Sequence, residues 1–72
     1  SIFSAQNENA LSLLSRADSL DEVGKPVAAL SLYRSVGETT LDYCIIAQSE
    51  VGKGRIQQRA GNLERASKAW RS

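Results

Sequence analysis

Cys44 is the one thiol in the chain, and there is no histidine anywhere to activate it. Without histidine there is no Cys–His pair, no Ser–His triad and no histidine-bearing zinc site. Cys44 sits beside Tyr43, Ile45 and Ile46, the setting of a small buried hydrophobe rather than a nucleophile. A lone cysteine also excludes an internal disulfide and fits a reducing compartment. Gly52-Lys53-Gly54 lacks the glycine spacing and the following Lys-Ser/Thr of a phosphate loop. No carboxylate falls in a segment that reads as an apolar pocket, so a general acid with a raised pKa is not indicated. The expected domain is non-catalytic and holds no cofactor or metal. What remains is the chemistry of recognition: leucines, alanines and a few aromatics at helical spacing, flanked by charge.

That charge is unevenly spread. The first third carries Glu8, Asp18, Asp21 and Glu22 against Arg16. The last third carries Lys53, Arg55, Arg59, Arg65, Lys68 and Arg71 against Glu50 and Glu64. The simplest structural use is an acidic first helix lying beside a basic third helix. The competing use is a basic face for nucleic acid or an acidic surface. No aromatic is interleaved with the basic residues before Trp70, so a stacking platform for single strands is not indicated, and nucleic acid ranks below a solvated face.

Three amphipathic segments must position these groups. Ser4 is the expected N-cap of the first helix, about residues 5–23, with residues 1–4 as a lead-in. Ala10, Leu13, Leu14, Ala17 and Leu20 form its apolar stripe, at a period near 3.6. Gly24 can take the positive φ that ends a helix, and Pro26 suits the first turn of the next. The second helix is expected over about 26–49, with Ala29, Tyr33, Val36, Thr40, Tyr43 or Cys44, and Ala47 as its seam. Gly37 is read through, a break there being the alternative. Val51–Gly54 is expected as the second corner, and the third helix over about 53–71. Its stripe is Ile56, Ala60, Leu63, Ala66 or Ser67, and Trp70, and Ala60-Gly61 would permit a close helix crossing.

The 72 residues sit near the lower limit for a self-sufficient core and read as one domain, 1–72, excised from a longer protein. No stretch approaches the ~20 apolar residues of a membrane span. Nor is there any alternating strand pattern. The expected fold is all-α: an antiparallel, up-down-up three-helix bundle.

Ala10, Leu13, Ala17, Asp21, Gly24, Ala29, Leu30, Leu32 and Tyr33 resemble, in type and spacing, the first two helices of the microtubule-interacting and trafficking (MIT) domain family. Leu63-Glu64-Arg65-Ala66 resembles that family's Leu-Asp-Arg-Ala segment, and Ile56 lies near its upstream isoleucine. Tetratricopeptide units share the Ala-Leu-x-x-Tyr style of helix pair, but they are ~34 residues long and stack on neighbours. The resemblance implies an MIT/spectrin-repeat-like bundle that binds C-terminal tail peptides of ESCRT-III subunits. It implies a monomer, cytoplasmic and peripheral to endosomal or midbody membranes, recruiting a parent protein; hosts in that family include ATPases, proteases and kinases. One family mode lays a peptide helix between helices 2 and 3, and another uses the groove between helices 1 and 3. Carried over by position, Leu63 is the groove floor and Glu64 the adjacent acid, while Ser67 replaces a second acid. Ala60 lies on the same stripe. Leu41, Cys44 and Gln48 are the candidates for the facing wall by helical spacing. Thr39 and Thr40 stand where the family has an aromatic pair, and Pro26 where it often has an aromatic. The rival readings are a structural helical adaptor and a basic-face binder acting through Arg55, Arg59, Arg65 and Lys68.

Overall fold

The corner around Gly24 closes as a complete Schellman motif. Gly24 has φ +80°. Its N–H donates to Asp21 O (3.1 Å), and the Lys25 N–H donates to Leu20 O (2.9 Å). Those two bonds satisfy carbonyls that a helix end leaves open. Pro26 then opens the next helix at a position where an N–H would have no partner. In the computed structural model, which describes residues 1–71, the helices are α1 (Ile2–Glu22), α2 (Pro26–Thr39) and α3 (Tyr43–Arg71). They form an antiparallel three-helix arrangement, and no strand occurs among the described residues.

Two boundaries differ from expectation. Ser1, not Ser4, caps α1: its hydroxyl accepts the Ser4 N–H at 3.2 Å, so residues 2–4 are helical. The second helix ends at Thr39, not near residue 49, and the second corner is Thr40–Asp42 rather than Val51–Gly54. Thr40 is extended (φ −133°, ψ 155°). Its hydroxyl donates to Asn7 Oδ1 on α1 and accepts the Asp42 N–H at 3.0 Å. Asp42 then caps α3, its Oδ1 accepting from Cys44 N (2.9 Å) and Ile45 N (3.2 Å). A buried threonine and an aspartate N-cap therefore turn the chain where β-branched residues already weaken the helix.

The core follows the expected stripes of the first two helices. Ala10, Leu14 and Ala17 of α1 and Ala29, Tyr33 and Val36 of α2 are buried, with Leu13, Leu20, Leu30 and Leu32 packed around them. On α3 the buried stripe is Ile45, Ser49, Gly52 and Ile56, a heptad-like run that begins one turn after the Asp42 cap. The glycine at the centre of that stripe makes the closest approach. A Cβ added at Gly52 would lie within 3.0 Å of Tyr33 ring carbons, so it is the missing side chain, not a turn, that places glycine there. The expected close crossing at Gly61 does not form; only its neighbour Arg65 lies within 4 Å of a Cβ there.

Asp18 gathers all three helices at this level. Its Oδ1 accepts the Tyr33 hydroxyl from α2 and lies 3.9 Å from Arg55 Nη2 on α3. One turn on, Asp21 pairs with Arg59. The acidic end of α1 thus lies against the basic middle of α3, as the charge split implied. Beyond Ile56, α3 contains no buried residue. At 29 residues it is about 43 Å long, against about 21 Å for α2, so its last turns run past the α1–α2 corner into solvent.

Candidate interhelical grooves

Two grooves flank α3. The first lies at the α1–α2 corner and has a volume of about 420 Å³. Val27 and Leu30, one turn apart on α2, form one wall; Ile56, Ala60 and Leu63 on α3 form the other, with Gly24 and Pro26 closing the end. Its charged margin is the Asp21–Arg59 pair. Val27 is 81% and Leu63 72% exposed, so the groove offers large apolar side chains that the fold itself leaves uncovered. The second groove, about 330 Å³, runs between α1 and α3 along Leu14, Ala47, Gln48 and Val51, and ends at Asp18 and Arg55.

The candidates from sequence are divided between these places. Leu63 and Ala60 come together in the corner groove. Leu63 is not core. Glu64 is exposed beside it and faces Lys68 one turn on, Oε1 to Nζ 3.6 Å. Ser67 is half-buried a turn further along α3, and the rest of the predicted stripe, Ala66 and Trp70, is exposed. The supposed wall from helix 2 is corrected: Leu41 lies in the α2–α3 turn, while Cys44 and Gln48 belong to α3 itself. Cys44 is exposed rather than buried, because Ile45 takes the inward position. It also lies nineteen residues before Leu63 on one helix, about 28 Å away, too far to share a groove that spans about two turns of α3. Gln48 lines the α1/α3 groove instead.

Sequence reasoning missed Val27 and Leu30 as the facing wall. The signal was their i, i+3 spacing directly after the corner, which puts both on one face of α2.

Part of the basic face of α3 is engaged within the fold. Arg55 is 3.9 Å from Asp18, Arg59 is paired with Asp21, and Arg65 bonds Asn62. Near this network the Tyr33 phenol is pushed above its ordinary pKa, first by burial and then by the adjacent Asp18 carboxylate. It stays a neutral donor through the physiological range and serves structure.

No protein-family model, no curated protein and no solved structure matches the chain. Among the described residues no helix is long and apolar enough to cross a membrane.

Proposed function

We propose that the chain is a protein-interaction module whose corner groove receives the apolar face of a short amphipathic helix. The observation that carries this reading is the convergence of Val27, Leu30, Ile56, Ala60 and Leu63 around an open cleft, two of them largely exposed. A helix presenting apolar residues at i, i+3 or i+4, and i+7 is the natural occupant of such a cleft. The MIT-like spacing of the first two helices supplies the ligand class: C-terminal tails of ESCRT-III subunits. On this reading the module brings its parent protein to membrane-remodelling sites, at endosomes or the midbody, and is itself non-catalytic.

Titration of a panel of labelled ESCRT-III tail peptides tests the proposal. Saturable binding that weakens at least about tenfold in Leu63→Asp, with helicity unchanged by circular dichroism, is the expected result. No binding by any tail at millimolar concentration would remove the function and leave the fold.

A structural-adaptor reading draws on a different observation, the exposed apolar positions Leu63, Ala66 and Trp70 at the projecting end of α3. It requires the isolated chain to self-associate, which sedimentation would reveal.

A further inference from the structure

Two cations, Lys25 and Arg34, flank in sequence the α2 residues that wall the corner groove, without lining it themselves. Lys25 stands between the lining residues Gly24 and Pro26. It also occupies the N-cap of α2 without a side-chain cap, so the positive end of that helix dipole is left open at the same place. Arg34 follows Val27 and Leu30 at steps of three and four, the spacing of a single helix face. Neither Lys25 nor Arg34 makes an ion pair among the described residues. The lining carboxylate, Asp21, is already neutralised by Arg59. Glu22, which makes no ion pair among the described residues, is turned about 100° around α1 from Asp21 and does not line the groove. Glu38 lies a further turn along α2 from Arg34, about 6 Å beyond it.

Resting on the groove reading above, we propose that this groove selects amphipathic helices whose flank is acidic. The preferred ligand carries two carboxylates that bracket its apolar anchors, one toward Lys25 and one toward Arg34. Those cations are nine residues apart in sequence, about 14 Å along the helix axis, so the two acids stand on one face of the peptide helix at i and i+7 or i+11, the whole-turn spacings that bracket that distance. A peptide with basic residues at those places meets like charge at both ends. The apolar floor supplies affinity to either peptide, and the rim discriminates between them.

The test uses two helical peptides with the same apolar face, one with glutamates and one with lysines at the bracketing positions, each titrated by fluorescence anisotropy at low and high salt. Two exposed pairs correspond to a preference for the acidic peptide of about tenfold at low salt, shrinking toward parity at high salt. The double variant Lys25→Glu/Arg34→Glu should reverse the preference, and Leu63→Asp should weaken both peptides together. Equal or tighter binding of the basic peptide overturns the inference while leaving the groove intact. Failure of both peptides to bind overturns the groove reading, and this inference with it. A single-stranded oligonucleotide that binds tightly and is indifferent to Leu63→Asp would likewise overturn it, in favour of a polyanion site.

Discussion

Tyr33 and Gly52 meet so closely that each sets what the other can be. The ring is fully buried, its hydroxyl is held by Asp18, and the space a Cβ would need at Gly52 is already taken. Replacing Gly52 with alanine gains about 1 kcal/mol of helix propensity but forces the ring and α3 apart, a cost of about 1–3 kcal/mol. The expected net effect is a lower midpoint in urea. Gly54→Ala, two residues on and facing open space, should instead raise the midpoint, by up to about 1 kcal/mol. If both substitutions stabilise, the close approach is not as described. The Tyr33 phenol gives a second residue-scale test. Its folded pKa lies above the ordinary 10.0, so the folded state holds this proton more tightly than the unfolded chain does. That contribution is complete below pH 10 and is lost as pH rises from there through the folded pKa. Alkaline unfolding should therefore be steeper in the native protein than in Tyr33→Phe, which lacks the ionisation. Equal slopes would argue against the shift.

At the scale of the elements, the two corners were unequally legible. The first was readable because Gly24 and Pro26 each permit what most residues do not: a positive φ, and a first helical turn without an N–H. The second is built differently. Its stop comes from the buried Thr40 and its restart from the Asp42 carboxylate, and neither residue is a strong breaker in isolation. The glycines at 52 and 54 look more like a turn than Thr40–Asp42 does. Gly52, however, is small because Tyr33 leaves no room, a long-range demand that local sequence does not carry. Placing the corner at Val51–Gly54 instead of Thr40–Asp42 also assigned Leu41, Cys44 and Gln48 to the wrong element and hid Val27 and Leu30. Asp42→Ala should cost about 1 kcal/mol through loss of the cap, with faster amide exchange at Cys44 and Ile45. Unchanged protection at those two amides would place the start of α3 elsewhere.

The whole molecule is an α1–α2 hairpin laid against the first half of a longer α3. Three pairings across Asp18 and Asp21 hold the helices in register at the corner end, and the corner groove opens where they stop. Most of the fold was legible because the stripes of the first two helices have clean periods and the charge split foretold which faces meet. Leu63 was expected in a groove from the family resemblance, with Ala60 on the same stripe, and in the structure both line the corner groove, past the last buried position, Ile56. Because α3 outruns its partners, its end past Leu63 has no buried side chain among the described residues to add to intrinsic helix propensity, and weakly supported short helices are marginal in water. Amide exchange should accordingly be fast over residues 65–71 and slow over Ile45–Ile56. A bound helix in the corner groove should slow exchange around Leu63.

The central claim is that the corner groove binds an amphipathic helix, and it is tested most directly by amide chemical-shift mapping of the 15N-labelled chain during titration with the acidic-flanked peptide. The expected result is saturable shifts clustered at Val27, Leu30, Ile56, Ala60 and Leu63, absent in Leu63→Asp. Shifts confined to Leu14, Ala47 and Val51 in the α1/α3 groove, or none at saturating peptide, would contradict it.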